Sequence, residues 1–135
     1  MHDRELREAL HHKLLKEHHG DTNTLVLDEL GLRHGTCRVD IAVVNGYLHG
    51  YEIKSDADTL QRLPGQVSLY CAVLDRATLV VGEKHAEKAK AHLPDWWGVE
   101  VASTPPKRRS TPPDHWAFVR RSTPPAPWCW RGSWR

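Results

Sequence analysis

The beginning of the chain arranges apolar and polar positions with the period of an α-helix. Leu6, Leu10 and Leu14 recur at four-residue intervals within residues 3–18, and charged side chains fill most of the remaining positions. Apolar residues at this spacing share one face of a helix. The pattern therefore predicts an amphipathic helix, which Gly20 should end because glycine readily adopts the left-handed conformation that closes a helix.

The pattern then changes to the alternation that is typical of strands. Two alternating runs flank Asn45-Gly46, a dipeptide that is a strong hairpin signal. We therefore expect strands at about 37–44 and 47–54. The apolar run at 24–30 is short and bounded by turn-forming residues, so it should add one further strand before the hairpin.

The second half of the chain alternates helical and strand patterns. A helix should run from Pro64, which suits a first helical position, to about Leu74. The continuous apolar run at 77–81 is typical of a buried parallel strand. A helix at 84–93 and a short strand at 99–101 should follow. The order of elements predicts an α/β fold with a mixed sheet, in which the strands before the middle helix are antiparallel and a later one is reached by a crossover.

The last part of the chain has a different composition. Ser-Thr-Pro-Pro occurs three times after residue 102, and prolines at this density oppose both helix and sheet. We expect a folded domain at 1–102 and a disordered or extended tail at 103–135. The tail carries seven Lys or Arg against one acid, and it holds four of the six tryptophans. Such a tail suits phosphate contact and base stacking, although an extension without a selected role is an equally good interpretation.

Composition narrows the class of protein. The chain has 135 residues, of which 39% are hydrophobic, and this is enough for one modest core. No apolar run is long enough to cross a membrane and the start is charged, so we expect a cytoplasmic protein without membrane contact. Three scattered cysteines predict reduced thiols, and the paired histidines at 11–12 and 18–19 are interpreted as solvated helix surface.

The candidate chemistry lies on the hairpin. Side chains alternate along a strand, so Glu52 and Lys54 should share one face, and Asp40 alternates with its neighbours in the same way. A two-residue turn would set Asp40 opposite Tyr51, on the wrong face. A three-residue loop at 45–47, or a bulge at the glycine that precedes Tyr51, shifts the pairing by one residue. The shifted register sets Asp40 opposite Glu52, and we expect it for that reason.

Two carboxylates in this position repel each other unless a cation lies between them. Hard oxygen ligands favour Mg²⁺ or Mn²⁺ over zinc. The ammonium of Lys54 would hold an attacking water and offset negative charge in a transition state. On the acid-x-lysine pattern alone, a strand face with solvated charges is the better interpretation of Glu52 and Lys54.

A longer pattern includes these residues. Asp40, then Glu52-Ile53-Lys54, then Gln66-x-x-x-Tyr70 resembles the PD-(D/E)XK nuclease superfamily, in its RecB-like branch of small standalone bacterial and phage-borne members. The resemblance covers about residues 3–102. It implies a three-layer α-β-α, restriction-endonuclease-like core with the order αβββαβ.

The resemblance also implies roles for individual residues. Asp40, Glu52 and the Ile53 carbonyl would ligate Mg²⁺ or Mn²⁺, and Lys54 would act on the water. Gln66 and Tyr70 would line the same cleft, although ordinary helix packing explains Tyr70 equally well. Glu29 is the expected further metal ligand, with Glu5, Glu8 and Glu17 as the alternatives.

The function implied by the resemblance is metal-dependent hydrolysis of phosphodiester bonds. The chain would be a Mg²⁺- or Mn²⁺-dependent deoxyribonuclease of DNA repair or phage defence, with DNA favoured over RNA and a homodimer or a partner protein possible. The alternative is a catalytically silent nucleic-acid-binding or interaction module of a repair or defence complex. We expect Glu52→Ala to leave the melting temperature unchanged, because the site should be polar and peripheral.

Overall fold

The computed structural model describes residues 3–32, 37–103 and 117–122, in which four helices and six strands are formed. The helices are α1 (Asp3–Ala9), α2 (Lys16–Gly20), α3 (Leu63–Val73) and α4 (Ala86–Lys90), with a π-helical turn at Leu10–Leu14 and a 3-10 turn at Glu83–His85. The strands are β1 (Leu25–Leu32), β2 (Cys37–Val44), β3 (Leu48–Lys54), β4 (Arg76–Gly82), β5 (Gly98–Ser103) and β6 (Ala117–Ser122).

All six strands form one mixed sheet whose spatial order follows the chain order. The first three strands pair in antiparallel fashion. The pairs β3–β4 and β4–β5 are parallel, and each is joined by a helical crossover. The predicted α/β class with a mixed sheet is therefore confirmed.

Helices cover both faces of the sheet. On one face, side chains of α3 and α4 such as Val67, Tyr70 and Ala89 join a core with alternate residues of β4 and β5. On the other face, Leu6 and Leu10 of the first helical segment pack on the intervening residues of the same strands. Helices thus cover both faces of β4, which explains the continuous apolar run in this strand.

The first helical segment contains one extra residue. The amide of Leu15 donates to the carbonyl of Leu10 at 2.9 Å, which is the bond of a π-helical turn. The extra residue rotates the positions that follow it, so Leu15 is fully buried and Leu14 only partly. The predicted amphipathic helix and its end at Gly20 are confirmed, with this shift in its apolar face, but the expected left-handed conformation of Gly20 is not formed.

The region after residue 82 differs from the prediction in two ways. The expected helix at 84–93 is shorter, because α4 ends at Lys90 after a 3-10 turn. Strand β6 also pairs with β5, from Ala117 opposite Ser103 to the neighbourhood of Val99. A disordered tail is therefore wrong for this segment, whose sequence AFVRRS contains no proline. The rest of the predicted tail lies outside the described residues. No helix of the described part of the chain is long and apolar enough to cross a membrane.

Candidate functional site

The hairpin adopts the shifted register that the site requires. Ile41 pairs with Tyr51, and the strands are joined by a loop at 45–47 in which Gly46 has φ +89°. This positive φ is the left-handed conformation for which glycine is suited. The ladder ends at Ile41 and Tyr51, so the expected pairing of Asp40 with Glu52 is not formed.

Strand β2 becomes irregular at Asp40. Residues on either side pair with β1, whereas Glu29 and Asp40 themselves do not, and Glu29 has φ +54°. Val39 lies in the core beneath α3 and Ile41 in the core beneath the first helix, so these residues point to opposite faces. A regular strand would place both on the same face. The expected simple alternation around Asp40 is therefore wrong, because one irregular residue separates the two halves of β2.

Side chains satisfy the backbone groups that this irregularity leaves unpaired. The amide of Ile53 donates to Asp40 Oδ2 at 2.8 Å. Arg7 Nη1 donates to the carbonyl of Asp40 at 2.9 Å, and the hydroxyl of Tyr70 bonds the carbonyl of Arg38 at the same distance. Buried backbone groups need partners, so two of these bonds hold Asp40 in place and the third holds the neighbouring Arg38.

Glu52, Lys54 and Tyr70 form a buried polar cluster on the α3 face of the sheet. Lys54 Nζ lies 3.1 Å from Glu52 Oε1, and Tyr70 hydrogen-bonds Glu52 Oε2. Only 2% of Glu52 and 5% of Lys54 are exposed. Trp97 stacks on Tyr70 with ring centroids 5.6 Å apart. The predicted common face of Glu52 and Lys54 is confirmed, but the expected peripheral position is wrong.

This environment shifts the pKa values of Asp40 and Tyr70. Burial and the neighbouring carboxylate of Glu52 raise the pKa of Asp40 to about 7, although the Ile53 amide and Arg7 act in the opposite direction. The pKa of the Tyr70 phenol is also raised, by burial and by Glu52. Both shifts have the same origin, which is negative charge held close together with little water.

Arg7 connects Asp40 to Glu29. Its Nη2 lies 2.8 Å from Glu29 Oε1 and 3.5 Å from Asp40 Oδ1. The structure thus brings the predicted acid Glu29 near Asp40, but as the partner of an arginine. Of the alternatives, Glu8 pairs with Arg4 at the surface. Arg7 was not among the predicted site residues, because its role depends on a tertiary contact that its helical position does not indicate.

A cavity of about 600 Å³ opens beside Asp40. Its walls come from β1, β2, the segment before α3, and α3 itself. Gln66 Oε1 is buried there and has no hydrogen-bond partner among the described residues. Gln66 therefore lies where it was predicted, whereas Tyr70, Glu52 and Lys54 lie behind the wall. The lining residues are Glu29, Cys37, Arg38, Asp40, Gln61, Arg62, Gly65, Gln66 and Leu69.

The donor set decides which metal these residues suit. Among the described residues there is no group of three or more His, Cys, Asp or Glu side chains that could hold a metal ion. Asp40, Glu52 and the Ile53 carbonyl offer two carboxylates and one backbone oxygen. Mg²⁺ is bound through one or two carboxylates while it keeps several waters, so oxygen donors of this kind would suit Mg²⁺ or Mn²⁺ rather than structural zinc, and the cation stays a prediction.

The histidines near the start of the chain lie at the surface and contact one another. His12 and His19 are exposed, as expected for a solvated helix surface, whereas His11 and His18 are partly buried. His11 Nδ1 lies 2.9 Å from His19 Nε2, and His11 Nε2 lies 2.7 Å from Asp28 Oδ1.

The fold and the site define an α/β domain with a buried carboxylate–lysine cluster beside an open cavity. Residues 2–110 match the model of the family described as Bacteriophage P4 protein cII, and the chain belongs to that family. Protein cII of Enterobacteria phage P4 is 30% identical over 78 residues, which cover 58% of this chain and 30% of that protein. The match thus spans less than a third of that relative's length. No solved structure matches the chain significantly.

This family membership corrects the resemblance drawn from the sequence. Assignment to the PD-(D/E)XK nuclease superfamily is wrong, and the deoxyribonuclease activity and the repair or defence role inferred from it are withdrawn, together with the silent repair or defence module. The pattern misled because few positions carry it: an alternating hairpin and one helix face supply them all. In the fold, Glu52, Lys54 and Tyr70 bind one another. The restriction-endonuclease-like character of the core stays a prediction.

Proposed function

We propose that the cavity beside Asp40 binds a phosphate group of DNA, and that a divalent cation assists this binding. The observation that carries the proposal is the largely buried carboxylate of Asp40 at one wall of a cavity whose other walls carry arginines, with the carboxylate of Glu52 behind that wall. Only 19% of the Asp40 side chain and 2% of the Glu52 side chain are exposed. The proposal concerns binding and includes no hydrolysis.

The cation would lie at Asp40, Glu52 and the Ile53 carbonyl. Burial and charge repulsion disfavour two ionised carboxylates side by side, and a cation between them removes that penalty. When bound, Mg²⁺ would supply a positive charge to which a phosphate oxygen is attracted. Glu29 remains a candidate for an additional ligand once Arg7 moves to the phosphate, since Arg7 now holds its carboxylate at 2.8 Å.

The opposite walls of the cavity supply donors for the phosphate. Arg38 and Arg62 are exposed and line the cavity, and guanidinium groups bind phosphate through paired hydrogen bonds. The side-chain amide of Gln66 would donate to the same group while its oxygen, which has no partner among the described residues, accepts from the ligand. DNA is favoured as the source of the phosphate because the sequence after residue 102 is rich in arginine and tryptophan.

The test is the affinity for a short fluorescein-labelled DNA duplex, measured by anisotropy in Mg²⁺ and in EDTA. We expect EDTA to weaken binding at least about tenfold, since a contact to a charged group contributes that much. Asp40→Asn should bind equally in both buffers. Glu8→Gln is the matched control, because it removes a surface carboxylate that is 55% exposed, and it should keep the Mg²⁺ effect.

Two further comparisons locate the phosphate contact. Arg38→Gln and Arg62→Gln should each weaken binding in Mg²⁺, and an RNA duplex should bind less tightly than DNA. Equal affinity in Mg²⁺ and EDTA for the unmodified protein would contradict the role of the cation. Absence of DNA binding in both buffers would contradict the proposed function as a whole.

A further inference from the structure

A second cavity lies on the opposite face of the sheet. It encloses about 310 Å³, and it is bordered by Val43 and Tyr51, which belong to the core beneath the first helix. The cavity beside Asp40 instead includes Cys37 and Leu69, which belong to the core beneath α3. The two cavities are therefore separate, and nothing in the proposed function uses the second one.

Arg76 is the residue of this cavity that lacks a partner of opposite charge. No carboxylate of the described residues lies within 4.0 Å of its guanidinium, and its buried Nε has no hydrogen-bond partner among them. The guanidinium carbon lies 5.4 Å from the centre of the Tyr47 ring. This stacking holds the group in place and leaves its N–H donors to a ligand.

Arg76 contrasts with the second arginine of the cavity. Arg120 Nε lies 2.7 Å from Glu100 Oε1, so these two charges are paired with each other. Glu17, the other acid at this cavity, is exposed to solvent and lies on the helical rim. Within the described part of the chain, Arg76 is thus left without a paired carboxylate, and burial of a cation is unfavourable without a counter-charge.

Hydrogen-bonding groups lie beside Arg76 on the same wall. His49 Nε2 lies 2.8 Å from Thr78 Oγ1, and the His49 ring stacks on Tyr51 with centroids 4.4 Å apart. Burial and the guanidinium of Arg76 lower the pKa of His49, so its ring is a neutral hydrogen-bonding group beside Arg76.

We propose that the cavity formed by Tyr47, His49, Arg76 and Thr78 binds a small ligand through its phosphate group. The unpaired guanidinium would take the phosphate oxygens in its planar fork, and the Thr78 hydroxyl would add a donor. A volume of about 310 Å³ is at the lower end of ligand cavities, so it suits a single nucleotide or one phosphate of a longer chain. Free nucleotide and DNA backbone offer the same phosphate chemistry.

The test uses ¹⁵N-labelled full chain titrated with inorganic phosphate and followed by NMR. We expect saturable shifts of the amides of His49, Arg76 and Thr78. Arg76→Gln should weaken this binding at least about tenfold, since one charge-assisted contact is lost. Arg4→Gln removes an arginine whose side chain is 90% exposed, and it should leave the binding unchanged.

Competition then separates the two sources of phosphate. Displacement by a deoxynucleoside monophosphate supports a free nucleotide as ligand, and displacement by a short oligonucleotide that lacks terminal phosphates supports the DNA backbone. The proposal is overturned if phosphate shifts no amide of this cavity, or if Arg76→Gln binds phosphate as tightly as the unmodified protein. If Arg76→Gln does not fold, the shift map of the unmodified protein decides alone: shifts at these amides support the proposal and their absence overturns it.

Discussion

Breaking the buried ion pair of Glu52 and Lys54 should be among the most costly single changes in this domain. Lys54 Nζ lies 3.1 Å from Glu52 Oε1, with 7% and 2% of the two side chains exposed. Lys54→Met keeps the length and packing of the side chain but removes its charge. The carboxylate of Glu52 is then left in the core without its cation, which costs about 3–5 kcal/mol.

The double variant distinguishes loss of the pair from loss of packing. Glu52→Gln with Lys54→Met removes both charges and keeps an amide oxygen that accepts from Tyr70. We expect it to recover at least about 2 kcal/mol of the cost of Lys54→Met alone, as groups in direct contact are not additive. The four proteins of this cycle should be unfolded in urea, with fluorescence of the buried Trp97, which stacks on Tyr70, as the signal.

The exposed ion pair of Arg4 and Glu8 shows how much stability a solvated pair contributes. Arg4→Met breaks the pair with Glu8, whose side chains are 90% and 55% exposed, and it should cost under about 0.5 kcal/mol. If Lys54→Met costs no more than Arg4→Met, the charges of Glu52 and Lys54 are solvated, and the structural explanation of the acid-x-lysine pattern is refuted.

Four further substitutions have defined outcomes. Gly50→Ala should destabilise the protein by about 1–3 kcal/mol in urea, because the added Cβ would overlap the buried side chain of Leu74; Gly65→Ala, with nothing within 4 Å, should instead stabilise α3 by about 0.5–1 kcal/mol. Burial and nearby cations lower the pKa of His49 from 6.5 to about 3, so the neutral ring contributes stability above pH 6.5 that is lost as pH falls toward 3, at about 1.4 kcal/mol per pH unit. The melting temperature of His49→Gln should therefore fall less than that of the unmodified protein as the pH is lowered. Equal falls in the two melting temperatures would contradict this prediction. Burial and Glu52 raise the pKa of Asp40 from 3.8 to about 7, so in EDTA its ionisation should reduce stability as pH rises through that window; Asp40→Asn should become more stable relative to the unmodified protein over the same range, and a constant difference would count against the shift.

Much of the fold could be predicted because local patterns and tertiary packing agree. Asn45-Gly46 predicted the hairpin, and the need to bring Asp40 near Glu52 predicted a three-residue loop. The resulting pairing of Ile41 with Tyr51 is formed. The parallel strand β4 followed from its continuous apolar run. Strand β6 was missed because the surrounding prolines dominated the composition, although AFVRRS itself carries none.

The candidate site was less accessible to sequence reasoning. The alternation of side chains along β3 correctly placed Glu52 and Lys54 on one face of the sheet. It could not show how deeply they are buried, and the crossover helix covers both. The irregularity of β2 at Asp40 depends on Arg7, which lies 33 positions away in the chain and bonds the Asp40 carbonyl. Long-range contacts of this kind leave no mark in a single sequence.

Short motifs also overstate function when their residues have structural partners. Each position of the acid-x-lysine pattern was present, yet Glu52 is neutralised by Lys54 and hydrogen-bonded by Tyr70. Asp40 and Gln66 differ, since they line the cavity and Gln66 has an oxygen without a partner among the described residues. Exposure to a cavity therefore distinguishes Asp40 and Gln66, which a ligand reaches directly, from Glu52, which would have to exchange Lys54 for the proposed cation.

The most direct test of the central claim is a titration of ¹⁵N-labelled protein with Mn²⁺, followed by paramagnetic broadening of its amide signals. A cation at Asp40 and Glu52 should broaden the amides of Asp40 and Ile53 first, Mg²⁺ should reverse the broadening, and Asp40→Asn should abolish it. Broadening centred instead on His11 and His19, whose ring nitrogens lie 2.9 Å apart, or no broadening at either place, would contradict the proposed cation site.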